Sequence, residues 1–174
     1  MRRRGARALA ALLAGFVALA PASAAAQRAV FVVRHAEKAS AGGTTDIPLS
    51  DAGRARAERL AAMLRDAGIT AIYSTDTVRT RSTAEPLARA LGLTVRIYAT
   101  EPREGRPGSE ELVRSLRSDP NGAPLVVGHS NTVPELLAAL GATRKITLRD
   151  DEYDALFLIV PRSDGAPTLL ELRY

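Results

Sequence analysis

Two apolar stretches that each end in a histidine decide the fold: residues 30–35 read VFVVRH and residues 125–129 read LVVGH. Valine-rich runs of this length between helical segments are typical of buried parallel strands. Parallel sheets place their ligand sites just beyond the carboxyl ends of the strands. Because His35 and His129 are the only histidines of the chain and both follow such strands, we expect them to share one site.

Strand-like and helix-like patterns alternate along the rest of the chain. Ser50 is the expected N-cap of the first helix, and Gly68 and Gly92 are expected to end the first two helices. Strands are predicted at 29–33, 69–74, 93–98, 123–127, 155–160 and 168–172, and helices at 52–67, 77–91, 110–117 and 132–140. The pattern predicts a three-layer α/β sandwich with a mostly parallel central sheet. The last two strands, separated by a turn, predict a C-terminal hairpin at the edge of that sheet.

The first 26 residues have the pattern of a secretory signal peptide. Four arginines at positions 2, 3, 4 and 7 precede an uncharged stretch at 8–20 and a small-residue run at 22–26. The uncharged stretch is shorter than the roughly 20 residues that a membrane-spanning helix needs. We therefore expect a periplasmic or secreted protein, cleaved after Ala24 or Ala26 and without stable membrane insertion after cleavage.

The remaining residues, 27–174, are expected to form one domain with a single core. The first 26 residues hold four of the 24 Lys and Arg and none of the 19 acidic residues, which leaves 20 basic residues against 19 acidic ones. This balance gives no reason to expect a nucleic-acid partner. The chain has no cysteine, which excludes disulfides, thiolate catalysis and cysteine-based metal sites.

Two arginines are predicted to join the histidines at the same edge of the sheet. Arg34 follows the first strand directly, and Arg79 lies in the first turn of the helix after the second strand. Guanidinium groups and helix N-termini both suit phosphate oxygens. We therefore predict an anion pocket formed by Arg34, His35, Arg79 and His129.

Phosphoryl transfer is the chemistry that such a pocket favours. The two arginines oppose protonation of His35, whose ordinary pKa of about 6.5 already allows a neutral ring. A neutral imidazole can attack a phosphomonoester in line and form a phosphohistidine, which water then hydrolyses. The arginines and a partly charged His129 would balance the charge on the equatorial oxygens. Because these cations take the place of Mg²⁺, we expect no metal and no other cofactor.

At these residues the chain resembles the histidine phosphatase superfamily, in the branch typified by phosphoglycerate mutases and small bacterial phosphohistidine phosphatases. Four segments carry the resemblance. Residues 33–38 resemble the Arg-His-Gly signature, and residues 49–53 resemble the Leu-Thr/Ser-x-x-Gly segment that follows it. Residues 74–84 resemble the Ser-x-x-x-x-Arg segment ending in Thr-Ala, and residues 128–130 resemble the second-histidine motif. The resemblance implies a phosphoglycerate-mutase-like fold with His35 as the phosphorylated nucleophile and Arg34, Arg79 and His129 around the phosphate. Ala36 replaces the signature glycine, a change that is tolerated if the backbone does not need a positive φ there.

The proton donor for the leaving group has several candidates, because the loop after the third strand lacks a clear family-like acid. Glu101 and Glu104 lie in that loop, and Glu37 lies two residues past the nucleophile. Glu101 is favoured, with Glu37 and Glu104 as alternatives. Phosphoramidates such as phosphohistidine need little acid catalysis. We expect hydrolysis rather than mutase activity, on a small phosphorylated molecule or a phosphoprotein.

Three alternatives stay open. A non-catalytic module would keep the anion pocket without turnover. A serine hydrolase is indicated by residues 128–132, which nearly match the nucleophile elbow Gly-x-Ser-x-Gly, although no histidine follows Ser130 as that fold requires. A metal site could use His35, His129 and a carboxylate, although the neighbouring arginines would repel a cation. The charged stretch 144–154 is expected to be surface.

Overall fold

The structure is a computed structural model that describes residues 29–40, 46–101, 108–119, 122–162 and 164–174. The predicted signal peptide, 1–26, and Glu104 lie outside these residues, and the proposed domain limits of 27–174 stay a prediction. The elements are, in chain order, β1 (Val30–Arg34), α1 (Asp51–Leu64), β2 (Ile72–Ser74), α2 (Val78–Leu91), β3 (Val95–Ile97), α3 (Ser109–Ser118), β4 (Leu125–Gly128), α4 (Thr132–Ala139), β5 (Ala155–Val160) and β6 (Thr168–Arg173).

The six strands form one mixed sheet in the order β3-β2-β4-β1-β5-β6. The pairs β2–β3, β2–β4 and β1–β4 are parallel. The hairpin strands β5 and β6 are antiparallel and extend the sheet beyond β1. This confirms the predicted α/β architecture with its C-terminal edge hairpin. Among the described residues, no helix is both long enough and apolar enough to cross a bilayer.

Local sequence explains where the first two helices begin and end. The side chain of Ser50 accepts a hydrogen bond from the Gly53 amide at 3.1 Å and caps α1 as predicted. Gly92 takes a left-handed conformation and closes α2, also as predicted. Helix α1 ends earlier than expected, at Leu64, and Gly68 lies with a φ of 71° in the turn before β2.

Two apolar layers cover the two faces of the sheet. Val30 and Val32 of β1 pack with helices α3 and α4, whereas Phe31 and Val33 pack with α1 and α2. Because alternate side chains of β1 are buried on opposite faces, this strand carries an unbroken apolar run instead of a polar and apolar alternation. The two layers fix β1 and β4 at the centre of the domain.

The carboxyl ends of β1, β2 and β4 meet at one edge of the sheet. Arg34 pairs with Gly128, and the His35 amide donates to the Gly128 carbonyl at 2.9 Å. Because β5 runs antiparallel to β1, the residues before β5 reach the same edge. This edge therefore gathers the residues after three parallel strands and the turn that precedes β5.

Candidate functional site

His35 and His129 lie side by side at this edge. Their ring centroids are 5.3 Å apart and the ring planes are inclined by 67°. His35 is only 5% exposed, and His129 is partly buried. The structure thus brings together the two imidazoles that follow β1 and β4.

The orientation of the His35 ring leaves one nitrogen for chemistry. Nδ1 lies 2.8 Å from the Ala36 carbonyl oxygen, which only accepts, so Nδ1 carries the hydrogen and Nε2 carries the lone pair. Burial lowers the pKa of His35 to about 4, and the charges of Arg34 and Arg79 lower it further. The ring is therefore neutral at pH 7, as expected, but burial contributes more to this than the arginines do.

His129 is held by buried hydroxyl groups. Its Nε2 lies 2.9 Å from the Thr75 hydroxyl oxygen, which in turn donates to the Thr80 hydroxyl at 3.1 Å. Since the Thr75 hydrogen is directed to Thr80, the Thr75 oxygen accepts from the Nε2–H of His129. Burial, with smaller contributions from Arg79 and Arg34, lowers the pKa of His129 to about 4. The partly charged His129 expected from the sequence is thus a neutral ring at pH 7.

Arg34 lies beneath the turn that precedes β5. Its Nη1 donates to the carbonyl oxygens of Arg149, Asp150 and Glu152 at 2.7, 3.2 and 3.1 Å. The ring of Tyr153 lies 4.3 Å from the guanidinium carbon. The charged side chains of the stretch 144–154 are largely exposed, as expected, but its backbone supplies contacts to Arg34 that the sequence did not indicate.

Arg79 occupies the first turn of α2, where the sequence placed it. Its Nη1 lies 3.8 Å from Oδ1 of Asp46, a weak ion pair at the mouth of the site. The Asp46 carboxylate also accepts from the Val78 amide at 2.9 and 3.1 Å, which caps the start of α2. Arg79 is therefore linked to the segment that leads into α1.

Thr83 connects the segment after β1 to α2. Its hydroxyl donates to the Arg79 carbonyl at 2.8 Å and accepts from the Ala36 amide at 2.9 Å. Ala36 is fully buried against Leu49 and Ala57, and within the described ranges no residue other than glycine has a positive φ. Alanine at the signature glycine position is therefore accommodated without backbone strain, as expected.

The three candidate proton donors lie in different environments. Although burial alone would raise it, the hydrogen bonds from Arg56 hold the pKa of Glu37 below its ordinary value. Nε and Nη2 of Arg56 bind this carboxylate at 2.7 to 2.9 Å, so Glu37 is an ionised partner of α1 and a poor acid. Glu101 is exposed after β3, and Glu104 lies outside the described residues.

Sequence reasoning missed three of the residues that contact the site: Thr75, Thr80 and Tyr153. The two threonines lie within the segment 74–84, which was recognised for its arginine and not for its hydroxyls. Tyr153 is an aromatic residue that directly precedes Asp154 and β5 in a charged stretch, and this was its only signal. No three His, Cys, Asp or Glu side chains are grouped to hold a metal ion in the part of the chain that the structure describes.

The mixed α/β sheet thus brings the buried His35, the partly buried His129 and two arginines to its carboxyl edge. Residues 30–100 match the family model described as Histidine phosphatase superfamily (branch 1). This match confirms, over residues 30–100, the resemblance to this superfamily that the motifs indicated. The serine hydrolase alternative, which requires a different fold, is therefore abandoned.

Curated relatives match over part of their length. Over 79 residues the chain is 39% identical to "Probable phosphoglycerate mutase GpmB" of Yersinia pestis (strain Pestoides F), and the match covers 42% of this chain and 35% of that protein. The same values hold for the GpmB of Yersinia pseudotuberculosis serotype O:1b (strain IP 31758). The matched segment thus spans about a third of the length of these relatives.

Solved structures share the fold over most of this chain. The protein histidine phosphatase SixA, solved with tungstate, aligns with a TM-score of 0.67 at 18% identity and covers 83% of this chain and 96% of its own. The mycobacterial glucosyl-3-phosphoglycerate phosphatase Rv2419c aligns with a TM-score of 0.58 at 17% identity, covering 84% and 98%. At these identities the likeness establishes the fold.

Proposed function

We propose that the protein is a phosphatase that hydrolyses phosphomonoesters or phosphoramidates through a phosphohistidine on His35. The observation that carries the proposal is the buried, neutral His35, whose Nδ1–H is fixed on a carbonyl so that Nε2 keeps its lone pair. His129 lies beside this ring, and the charges of Arg34 and Arg79 act on it, which supports assigning these three residues to the phosphate pocket. The match of residues 30–100 to the superfamily model and the similarity of the fold to SixA and Rv2419c support the same activity.

In the proposed first step, Nε2 of His35 attacks phosphorus and the bond to the leaving oxygen or nitrogen breaks. Arg34 and Arg79 offset the negative charge on the equatorial oxygens, which is where protein cations lower the barrier to phosphoryl transfer. The leaving group takes a proton, for which Glu101 is our proposed donor and Glu104 the alternative. Glu37 is not proposed, because Arg56 keeps it ionised.

In the second step, water attacks the phosphorus of phosphohistidine, and one proton of this water passes to the carboxylate that protonated the leaving group, which restores the proposed acid. The N–P bond breaks, its electrons return to Nε2, and inorganic phosphate leaves with the oxygen of the water. His35 then regains its neutral form, with the hydrogen still on Nδ1. The proposal gives the protein's own cations the role that Mg²⁺ plays in many phosphoryl transfers.

The proposed substrate is a small phosphorylated molecule or a phosphoprotein, met in the periplasm or outside the cell. The location follows from the signal-peptide pattern of residues 1–26. Comparing specificity constants for sugar phosphates, nucleotides, polyphosphates and phosphohistidine would identify the substrate class. A phosphoglycerate acceptor in the same panel distinguishes hydrolysis from mutase activity.

The decisive experiment follows hydrolysis of p-nitrophenyl phosphate by the purified protein and its variants. We expect turnover by the wild type, none by His35→Ala, and an acid-labile phosphoryl group on the wild type after rapid quenching. Ser130→Ala is the control and should keep full turnover, because Ser130 has no role in the proposed steps.

Two outcomes would contradict the proposal. Turnover that persists in His35→Ala would show that His35 is not the nucleophile. Binding of inorganic phosphate without any turnover would instead support the non-catalytic module.

A further inference from the structure

The guanidinium of Arg34 is buried among neutral partners. The residue is 5% exposed, and Nη1 donates to three carbonyl oxygens of the turn at 149–152. The guanidinium carbon lies over the Tyr153 ring, 4.3 Å from its centroid. Carbonyl dipoles and an aromatic ring stabilise the guanidinium without neutralising it, so its positive charge can pair with a bound anion.

All three carbonyl contacts are made by Nη1, at one corner of the guanidinium. Nε is buried and has no hydrogen-bond partner among the described residues. A buried N–H without a hydrogen-bond partner costs free energy, so such a group indicates that a bound ligand accepts its hydrogen bond. Phosphate oxygens accept hydrogen bonds from a guanidinium when they lie in its plane. The orientation of that plane therefore decides how well the anion is bound.

The carbonyl contacts alone do not fix that plane. All three are made by one nitrogen, and the guanidinium can still tilt around this point. The guanidinium carbon lies over the Tyr153 ring at 4.3 Å from its centroid, and the attraction between the positive charge and the ring opposes this movement. The same ring lies 6.0 Å from the His35 ring, so one side chain spans the arginine and the proposed nucleophile.

We propose that Tyr153 is a positioning residue for phosphate binding, which acts through Arg34 by way of its aromatic face. This inference rests on the proposed function. The sequence context fits the role, because Tyr153 directly follows the turn whose carbonyl oxygens accept from Arg34, and it lies two residues before β5. The short connection to β5, which pairs with the central strand β1, gives the ring a rigid base.

The experiment compares Tyr153→Phe, which keeps the aromatic face, with Tyr153→Leu, which keeps apolar bulk but loses the face. Tyr73→Leu is the matched control, since the Tyr73 ring lies 5.8 Å from the Arg96 guanidinium in an exposed pair away from the site. The probes are inorganic phosphate, measured by calorimetry and as an inhibitor, and p-nitrophenyl phosphate as substrate.

We expect Tyr153→Leu to weaken phosphate binding about tenfold and to raise KM by a similar factor, within the range of buried cation–π pairs. Its kcat should fall less than about threefold, because a contact used equally in substrate and transition state changes KM and not kcat. Tyr153→Phe and Tyr73→Leu should stay within about twofold of the wild type in all three values.

A merely structural role gives a different pattern. It would lower the fraction of active protein, and with it the apparent kcat, while KM and the phosphate inhibition constant stay unchanged. That pattern, or Tyr153→Phe being as impaired as Tyr153→Leu, overturns the proposal. If Tyr153→Leu does not fold, Tyr153→Met replaces it in the same comparison with the same expected values.

Failure of the proposed function gives a separate result. A wild type that binds phosphate without turnover refutes the phosphatase while the calorimetric test of Tyr153 still applies. A wild type that does not bind phosphate at all refutes both.

Discussion

Acid should destabilise this protein through its two histidines, because both take up a proton at a higher pH in the unfolded chain than in the folded one. The pKa of His35 falls from 6.5 to about 4 on folding, chiefly through burial. Between these values unfolding takes up a proton, so the free energy of unfolding decreases as pH falls from about 6.5 to about 4. For one histidine, the full loss is about 3.4 kcal/mol, of which about 2 kcal/mol is lost between pH 7.5 and pH 5.

The assay is urea unfolding at pH 7.5 and pH 5 for the wild type, His35→Gln and His129→Gln. Each variant lacks one buried imidazole, so we expect it to lose about 2 kcal/mol less than the wild type over this interval. The carboxylates are common to all three proteins and cancel in the comparison. Because the chain has only two histidines, NMR titration of their ring protons gives the two pKa values directly.

The reasoning is refuted if both rings titrate near pH 6.5, or if the variants lose as much stability as the wild type. Either result would mean that water reaches the rings and that the site does not hold them neutral by burial. The catalytic consequence is linked to the same values, since the acidic limb of kcat/KM should then move from about pH 4 toward pH 6.5.

Three further predictions address the groups around the rings. Gly53→Ala places a Cβ 2.1 Å from the Glu37 carbonyl oxygen, so we expect a loss of stability of about 2 kcal/mol or more in urea unfolding; an unchanged midpoint would show that the backbone yields freely. Thr75→Val removes the acceptor for His129 Nε2 and should weaken inhibition by phosphate about fivefold, whereas Thr75→Ser should restore it; equal inhibition in both variants would contradict the hydroxyl contact. Glu37→Gln should lower stability by about 1 kcal/mol through its pair with Arg56 while the pH profile of kcat keeps its shape, and a lost basic limb would make Glu37 the acid after all.

The site could be predicted as far as it depends on strands. The apolar runs before His35 and His129 identify buried parallel strands, and the rule that ligands lie beyond strand carboxyl ends then places both rings at one edge. Arg79 follows from the same argument, because its helix begins where β2 ends. These positions depend on chain direction and periodicity, and both are visible in the sequence.

The contacts of Arg34 could not be predicted in this way. They are made by carbonyl oxygens, which every residue carries, so the side chains of the turn at 149–152 give no sign of them. Those side chains are charged and indicate a surface, which is correct for Asp151, whose side chain is 79% exposed, and misleading for the backbone beneath it. Only Tyr153, an aromatic residue among charged ones, marks the turn as packed.

The sequence predicted a neutral His35 but not the main cause of its low pKa, and it did not predict that His129 is neutral as well. The arginines beside His35 are evident from the motif, and their repulsion acts in the predicted direction. Burial acts more strongly, and it arises from the neighbouring segments, including the Tyr153 turn, that the fold packs over the rings. Removing one arginine should leave both rings neutral at pH 7. Opening the turn before β5 would instead admit water and bring the pKa of His35 toward its ordinary value. The neutral state of the proposed nucleophile therefore depends more on the residues that cover it than on the cations beside it.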